Sequence, residues 1–416
     1  MRITLITTVP ESLFHFLSGH IRMLAQQGNE VHTVSSPGLR DFAGSESLPS
    51  THHEVRMRRT IRPFSDIVSL YRVWRLLRQI RPDVVHTHTP KAGLLGIIAS
   101  WLAGVPIRIY GVNGLPIRVQ GLLGQAVLQV TERLACALAT EVVCVSRSVR
   151  RSMIGYGFCP TFKCRTLGDG GSHGVNTERF DPEACGRASG AAFREQHGIP
   201  EDALLIGYIG RIVPAKGINE LAAAWQGLRD QVPHAQLLLC GYCEPDHAMD
   251  STILELLRRD PRVYFTPEKV ADMPPVFAAL DICVLPTWGE GLPNVVLEAC
   301  SMAVPTVATR VSGCVDAIRN RTTGIIVPAR DSRALMEALA YLANNPKERE
   351  HIGRAARQYV SRRFSEERVS RLLLEEYHRL VAQYRPAARG QERSKASPVP
   401  PIRNRPTSIA SPAVRD

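Results

Sequence analysis

The sequence predicts an α/β fold made of two doubly wound units. Short apolar, β-branched runs alternate with longer segments of helical periodicity along most of the chain, a pattern typical of parallel sheets covered by helices. The chain has 416 residues, which is long for one hydrophobic core and suitable for two domains with extensions. The alternation breaks once, around residues 168–174, and then resumes. We therefore expect two parallel sheets joined by an irregular linker.

The first unit is predicted to span residues 1–190, including the linker. Its strands are expected at residues 3–8, 30–35, 84–88, 107–112 and 141–146. The glycine-rich stretch 168–174 is too irregular to continue a sheet, so the linker is placed there. Residues 1–190 carry 22 Lys/Arg against 13 Asp/Glu, a net charge of +9. The first unit should therefore attract anionic partners.

The second unit is predicted to span residues 191–362. Its strands are expected at residues 204–209, 236–239, 263–265, 282–286, 306–308 and 324–327. A last helix, at 363–384, is expected to pack back toward the first unit. Residues 385–416 are rich in Pro, Ser and Arg and carry 7 Lys/Arg against 2 Asp/Glu. This composition predicts a disordered basic tail.

Composition excludes several classes of function. The net charge is +12, but no helix-turn-helix, RNA-binding signature or set of interleaved stacking aromatics accompanies it, so nucleic acid is not an expected partner. No apolar run approaches the roughly 20 residues that cross a bilayer. Met1 and Arg2 run directly into the strand predicted at residues 3–8, which leaves no room for an export leader. Because ten scattered cysteines also fit a reducing compartment, a cytoplasmic protein is expected.

One predicted helix of the first unit has two contrasting faces. Its residues are Ile67, Leu70, Tyr71, Trp74 and Leu77 on the apolar face and Arg72, Arg75 and Arg78 on the basic face. Such a helix either covers the sheet, with its basic side in water, or lies on an anionic bilayer. We favour the sheet-covering interpretation and keep membrane binding as the alternative.

The clearest chemical signal follows the strand predicted at 282–286. Glu290 stands in a loop between Gly289 and Gly291, and Glu298 lies about a turn into the helix that Pro293 is expected to start. The glycines allow the backbone to approach a ligand closely. Free N–H groups at a helix start attract phosphate, and a carboxylate that accepts two hydroxyl hydrogen bonds recognises a sugar ring or a ribose. The segment therefore predicts a site for such a ligand.

A second signal follows the first strand of the same unit. Gly210 and Arg211 end the strand and Lys216 begins the following helix, so that two cations can neutralise a diphosphate leaving group. The sequence has neither a P-loop nor the spaced glycines of a dinucleotide fold, which argues against an ATPase or a nicotinamide dehydrogenase. It also lacks an Asp-x-Asp pair to hold a metal against a diphosphate. No metal and no cofactor are expected.

These motifs resemble those of glycosyltransferase family four, and more narrowly its bacterial members that build capsule, exopolysaccharide and O-antigen units. The resemblance covers residues 1–380. It implies that Glu290 contacts the donor sugar, that Glu298 contacts the ribose hydroxyls, and that Arg211 and Lys216 clamp the diphosphate. The residues that resemble the turn over the diphosphate and sugar are Gly289, Gly291, Leu292 and Asn294.

Blocks at residues 86–93, 110–116 and 174–180 also resemble that subgroup, with one departure. Asn113 stands where many family members carry a histidine that faces the reacting sugar. Asn donates a hydrogen bond but takes up no proton near neutrality. Either the histidine is dispensable because the leaving diphosphate serves as base, or activity is reduced, and His88 is the nearest alternative ionisable group. The residues expected to face the acceptor are Glu11, Ser12 and His15.

The resemblance implies the GT-B architecture, with two Rossmann-like domains and a cleft between them. It implies retaining transfer of a hexosyl or N-acetylhexosaminyl group from a nucleoside diphosphate sugar, UDP-linked, to a saccharide on a polyprenyl diphosphate. The basic first domain would hold this acceptor at the inner face of the cytoplasmic membrane, against an anionic surface. Two alternatives stay open, a sugar-nucleotide epimerase of the same architecture and a non-catalytic nucleotide-sugar-binding partner, the latter suggested by Asn113.

Overall fold

The computed structural model describes residues 1–384 except 43, 59, 61, 115–121, 244–248, 267–269 and 271. The predicted basic tail, residues 385–416, lies outside the described residues. Two parallel sheets, each covered by helices, make up the described part. The predicted α/β class with two Rossmann-like units is therefore confirmed. Within the described residues, every helix is too short or too polar to span a membrane.

The first sheet has seven described strands in the order β3-β2-β1-β4-β5-β6-β7, all parallel. The strands are β1 (Arg2–Ile6), β2 (Glu30–Ser35), β3 (Thr51–Glu54), β4 (Val84–His88), β5 (Ile107–Val112), β6 (Glu141–Cys144) and β7 (Cys164–Arg165). The helices are α1 (Pro10–Gln26), α2 (Pro63–Ile80), α3 (Pro90–Leu102), α4 (Leu122–Leu138) and α5 (Arg147–Gly155). Strand order reverses between β1 and β4, and ligands of open α/β sheets bind beyond the strand ends at such a point.

The second sheet has six described strands in the order β10-β9-β8-β11-β12-β13, again parallel. The strands are β8 (Leu204–Ile209), β9 (Ala235–Cys240), β10 (Val263–Phe265), β11 (Ile282–Leu285), β12 (Thr306–Thr309) and β13 (Ile325–Val327). Helix α6 (Pro182–Gln196) precedes them, and the later helices are α7 (Ile218–Gln231), α8 (Ser251–Arg259), α9 (Pro274–Ala279), α10 (Asn294–Ser301), α11 (Cys314–Ala317), α12 (Ser332–Asn344) and α13 (Pro346–Arg363). Here the strand order reverses between β8 and β11. The loop with Arg211 and Lys216 therefore lies beside the loop with Glu290.

Two strands of the first sheet, β3 and β7, were not predicted from the sequence. β3 is the segment Thr-His-His-Glu, which contains no apolar residue, and its side chains are half-buried or exposed. β7 has only two residues. Both are edge strands, with one neighbour each, so they are held by backbone pairing and leave little hydrophobic pattern in the sequence.

The sheet-covering interpretation of α2 is correct only for its C-terminal half. Val73, Leu77 and Ile80 are buried, and Val73 and Leu77 pack in a cluster with core residues of the first sheet. Ile67 and Tyr71, assigned from periodicity to the covering face, are instead 64% and 56% exposed. The basic face is in solvent as expected. The N-terminal half of α2 therefore presents apolar side chains to the outside.

The chain returns from the second sheet to the first at the start of α14 (Glu366–Tyr384). In the linker, the Val175 N–H donates to the Phe364 carbonyl at 2.8 Å, and the Val175 carbonyl accepts from the Glu366 N–H at 2.8 Å. Helix α14 then lies beside α1, with its Tyr377 hydroxyl 2.7 Å from the Nδ1 atom of His86 on β4. The last helix thus packs on the first unit.

Candidate functional site

The two loops predicted to bind the donor lie against each other at the carboxyl edge of the second sheet. The Trp288 N–H, in the loop after β11, donates to the Ala215 carbonyl in the turn after β8 at 3.0 Å. Gly217 ends that turn with φ 75°, and a Cβ atom there would lie 2.0 Å from the Pro286 carbonyl oxygen. Only glycine fits both the conformation and the spacing. The close approach fixes the two loops relative to each other.

This approach brings Lys216 and Glu290 into contact. The Lys216 ammonium donates to Glu290 Oε1, and the two side chains are only 20% and 14% exposed. Arg211 lies in the same turn and is exposed, while its carbonyl accepts from the Tyr208 hydroxyl at 2.6 Å. The cation predicted to bind a diphosphate and the carboxylate predicted to contact a sugar therefore share one space, which a single ligand can occupy.

Glu298, on α10, differs from Glu290 in its surroundings. Within the described part of the chain, no residue donates a hydrogen bond to its carboxylate. Burial raises the pKa of Glu298 to about 7, and the charge of Arg179 acts against that rise. A half-buried carboxyl group of this kind accepts hydrogen bonds from ligand hydroxyls without competition from a protein partner.

The loop that carries Glu290 touches the end of β5 on the first sheet. Gly291 packs so closely that a Cβ atom would lie 1.8 Å from the carbonyl oxygen of Asn113. Gly313, with φ 79°, packs on the other side, where a Cβ atom would lie 2.4 Å from the Gly291 carbonyl oxygen. Asn113 itself is exposed. Asn113 and Glu290 therefore lie on neighbouring segments from the two sheets.

A second contact between the two units starts at α5. The Ser148 hydroxyl accepts the Gly313 N–H at 2.8 Å and donates to Asp316, whose Oδ2 atom also accepts the Ser148 N–H at 3.1 Å. This contact was not predicted from the sequence, since the partners are more than 160 residues apart. The contact holds the start of α5 against Gly313 and α11, beside Gly291.

His173, in the linker, was also missed as a site residue. Its Nε2 atom lies 2.8 Å from the Asn294 amide nitrogen at the start of α10, and its ring is 5.1 Å from that of Phe16 on α1. Burial is the main reason that the pKa of His173 is lowered to about 3. The neutral ring can accept from Asn294 while its Nδ1 atom faces the Ser172 hydroxyl at 2.7 Å. The only signal in the sequence was its place in the glycine-rich linker.

Arg179 is a third residue missed in the sequence. It follows the linker and forms an ion pair with Asp272 at 3.2 Å. Its charge opposes the rise that burial causes in the pKa of Glu298, on the second unit. On the first unit, burial is the main reason that the pKa of His15 is lowered, and the charge of Arg179 contributes. Arg179 therefore acts electrostatically on both sides of the cleft.

The predicted acceptor-side residues, expected in a loop after the first strand, lie instead on the first turns of α1, because Pro10 starts the helix directly after that strand. Glu11 and His15 are exposed and Ser12 is half-buried. The His15 ring contacts Phe42 at 5.4 Å between ring centroids, in an edge-to-face arrangement. The charge of Arg179 acts on His15, and none of the three residues bonds to Glu290 or Lys216 within the described part of the chain.

His88 does not line an open cleft. It is 4% exposed and lines a cavity of about 20 Å³ together with His20, His86 and Asn113. Neither ring nitrogen of His88 has a partner among the described residues, and the Nε2 atoms of His20 and His86 also lack one. Burial is the main reason that the pKa of His88 is lowered to about 3 and that of His20 to about 4. These imidazoles are neutral near pH 7, and the cavity is large enough for about one water molecule.

The described residues contain no group of three or more His, Cys, Asp or Glu side chains arranged to hold a metal ion. The candidate site instead offers two cations, Lys216 and Arg211, and the N–H groups at the start of α10. These groups suit an anionic ligand such as a diphosphate.

Two family models match the chain. The model of glycosyl transferases group 1 matches residues 203–345, and the model of glycosyltransferase family 4 matches residues 18–166. A protein of Anabaena solved in complex with UDP has the same fold, with a TM-score of 0.74 at 17% identity. That comparison covers 91% of this chain and 100% of the other. The GT-B architecture expected from the sequence is therefore confirmed.

Named relatives support the same assignment. The chain is 32% identical over 362 residues to the capsular polysaccharide biosynthesis glycosyltransferase CapM of Staphylococcus aureus, covering 86% of this chain and 92% of the relative. It is 24% identical to the N,N'-diacetylbacillosaminyl-diphospho-undecaprenol alpha-1,3-N-acetylgalactosaminyltransferase of Campylobacter jejuni, covering 92% of this chain and 99% of the relative. The chain is an enzyme that belongs to glycosyltransferase family 4.

Proposed function

We propose that the enzyme transfers a hexosyl or N-acetylhexosaminyl group from a UDP-sugar to a saccharide carried on a polyprenyl diphosphate, with retention of configuration. The observation that carries the proposal is the contact between Lys216 and Glu290 beside the start of α10. It puts a cation for the diphosphate and a carboxylate for the sugar within reach of one ligand. The product would be an intermediate of bacterial surface polysaccharide synthesis.

The relatives support this choice of substrates. The Campylobacter relative is named as a transferase that acts on a diphospho-undecaprenol-linked sugar, and the Staphylococcus relative is named for capsular polysaccharide biosynthesis. The Anabaena protein was solved with UDP. Since the named relatives are transferases, transfer is favoured over the epimerase and over a non-catalytic binding partner.

In the proposed reaction, the second unit carries most of the chemistry. Lys216, Arg211 and the N–H groups at the start of α10 stabilise the negative charge that grows on the leaving diphosphate. Glu290 orients the sugar, and Glu298 accepts hydrogen bonds from the ribose hydroxyls. Asn113 cannot remove a proton, so the leaving diphosphate serves as the base for the acceptor hydroxyl. The positive side chains take the place of a metal ion, and transfer proceeds without one.

We further propose that the first unit lies at the inner face of the cytoplasmic membrane. On α2, the side chains of Phe64, Ile67 and Tyr71 are 89%, 64% and 56% exposed. Arg72, Arg75 and Arg78 of the same helix are also exposed. Exposed apolar and arginine side chains on one helix favour an anionic bilayer surface. A lipid-linked acceptor would then enter the cleft from that surface.

The donor is tested by offering UDP-, GDP- and dTDP-sugars with a short saccharide on polyprenyl diphosphate, in buffer containing EDTA. We expect turnover with a UDP-sugar and a product whose anomeric configuration, measured by NMR, equals that of the donor. Turnover that requires added Mg²⁺ or Mn²⁺ would contradict the metal-free reaction. Conversion of the donor to an epimer without acceptor would contradict transfer itself.

A further inference from the structure

A groove of about 960 Å³ runs along the outer edge of the first sheet. It lies between α5, the edge strand β7 and the returning helix α14. The residues that matter for its chemistry are Arg147, Arg150, Arg151, Arg165, Arg379 and Phe162. None of them belongs to the proposed donor or acceptor site, so the groove is a separate feature of the molecule.

Three of the five arginines form ion pairs with nearby carboxylates. Arg165 and Arg379 both donate to Glu141, at 3.0 and 2.8 Å, and Arg379 also donates to Glu376 at 2.6 Å. Arg147 pairs with Asp169 of the linker at 2.8 Å. These three side chains form the walls of the groove and leave little charge for a ligand.

The two adjacent arginines of α5 are different. Arg150 donates from Nε to the Cys164 carbonyl at 2.7 Å, which orients its guanidinium and leaves the terminal amino groups available. Arg151 is exposed. Neither forms an ion pair with a carboxylate in the described ranges, although Glu375 also lines the groove. Arg150 and Arg151 therefore have no carboxylate in direct contact, and Glu375 is the one further negative charge among the described residues that line the groove.

An apolar side chain stands beside these charges. Phe162, in the loop before β7, is 81% exposed although it lines a concave surface. Exposing a phenyl ring costs free energy unless something covers it, and an aromatic ring next to arginines suits a ligand with an anionic and an apolar part. Guanidinium groups match phosphate oxygens in geometry and charge.

We propose that this groove binds a phosphate-bearing ligand, with Arg150 and Arg151 on the phosphate oxygens and Phe162 against the apolar part. The same chemistry is offered by a soluble phosphorylated compound and by the headgroup of an anionic phospholipid. A concave site of this size holds a discrete group rather than a flat surface. The site is distinct from the α2 face proposed above for membrane contact.

The test uses the full-length protein with saturating UDP, so that the donor site is occupied, and inorganic pyrophosphate as the soluble probe. Isothermal titration is compared for wild type, Arg150→Gln/Arg151→Gln and the control Arg258→Gln/Arg259→Gln. The control removes an adjacent, exposed pair of arginines from α8 and so changes the net charge equally. We expect the α5 variant to lose at least about tenfold in affinity, equivalent to 1.4 kcal/mol, and the control to bind like wild type.

A second arm measures sedimentation with vesicles of phosphatidylglycerol or phosphatidylcholine, in a Phe64→Ser/Tyr71→Ser background that weakens the α2 surface. If the α5 variant selectively loses pyrophosphate binding, the ligand of the groove is a soluble phosphorylated compound. If it selectively loses phosphatidylglycerol binding, the ligand is a lipid headgroup. If the α5 variant and the control behave alike in both arms, the proposal is wrong. Should the double variant fold poorly, Arg151→Glu with Phe162→Ser replaces it, because both side chains are exposed.

Discussion

The two sides of the cleft contain different kinds of polar groups. At the carboxyl edge of the second sheet, Lys216 and Glu290 form a charged pair that is partly exposed and within reach of a ligand. Behind Asn113 at the edge of the first sheet, the polar groups are the buried imidazoles of His20, His86 and His88. Four of the six ring nitrogens of these histidines lack a partner among the described residues.

This difference bears on how the reaction is divided. Charges close to a ligand can stabilise a leaving diphosphate, whereas imidazoles held neutral by burial carry no positive charge and do not act as general acids near pH 7. Under the proposed function, we expect the second side to carry the chemical step and the first side to hold the acceptor in position.

The largest effect is expected from Glu290→Gln. The change keeps the shape of the side chain but removes the charge that pairs with Lys216 and the second acceptor oxygen for the sugar. We expect kcat to fall by about 10²–10³, as for the loss of one preorganised electrostatic contact, with the thermal unfolding midpoint close to that of wild type. The control is Glu337→Gln, an exposed glutamate paired with Arg333 on α12. Near-normal turnover of Glu290→Gln would remove this residue from the site.

The next prediction concerns the pH dependence of stability. The pKa of His88 is about 3 in the folded protein against 6.5 in the unfolded chain. Well above pH 6.5 the ring is neutral in both states and adds no pH dependence, whereas stability is lost as pH falls from 6.5 toward 3 because the unfolded state binds the proton and the folded state does not. Between pH 7.5 and 5.0 this loss amounts to about 2 kcal/mol for one such histidine. In urea unfolding, the free energy of unfolding of His88→Gln should therefore fall by about 2 kcal/mol less than that of wild type between pH 7.5 and 5.0.

Glu298 is expected to change stability with pH in the opposite direction to His88, and the same urea unfolding experiment measures it. Its pKa of about 7 in the folded protein lies above the unfolded value of 4.5. The folded state therefore binds the proton more readily, and the contribution of Glu298 to stability is present below pH 4.5 and lost as pH rises through 7. Glu298→Gln should change the pH dependence in the opposite direction to His88→Gln. If both variants change the pH dependence of stability in the same direction, the two sides of the cleft do not differ in this way.

The sequence predicted the second side of the cleft better than the first. Arg211, Lys216 and Glu290 follow the ends of β8 and β11 within a few residues, so local spacing and the parallel-sheet rule were enough to bring them together. His88, at the end of a strand on the first side, was named as the ionisable group nearest in sequence to Asn113. Its ring instead lies under α1 and α14. The return of the last helix to the first unit was expected, but local pattern did not show which side chains that helix would cover.

Contacts between the two units were the other gap. His173 and Asn294 are 121 residues apart and Ser148 and Asp316 are 168 apart. These pairs depend on how the two sheets face each other, and hydrophobic periodicity contains no information about that orientation. The edge strands β3 and β7 were missed for the related reason that backbone pairing, rather than side-chain burial, defines them. The predicted roles of the donor and acceptor residues stay predictions until turnover is measured.

A smaller effect is expected where the two sides touch, at Gly291. In Gly291→Ala the new methyl group would lie 1.8 Å from the Asn113 carbonyl oxygen, so the loop must move away from β5. Backbone displacement of this kind costs about 1–3 kcal/mol, and we expect kcat/KM to fall about tenfold. Gly155→Ala at the end of α5 is the matched control, since nothing lies within 4 Å of the position of its new Cβ atom and the residue lies outside the proposed site. Similar losses in both variants would show that the contact with Asn113 is not the cause.

The smallest effect is expected from Ser148→Ala. The change removes the hydrogen bonds from the Gly313 N–H and to Asp316 but leaves the packing of α5 intact. Loss of such contacts between the units costs about 1 kcal/mol, so kcat/KM should fall no more than about fivefold. Ser152→Ala on the same helix is the control, because its hydroxyl makes no hydrogen bond to another described residue. If the first side positions the acceptor, the loss in Ser148→Ala should appear mainly in the KM for the acceptor. A loss confined to kcat would instead indicate that the first side takes part in the chemical step, which contradicts the expected division of roles between the two sides.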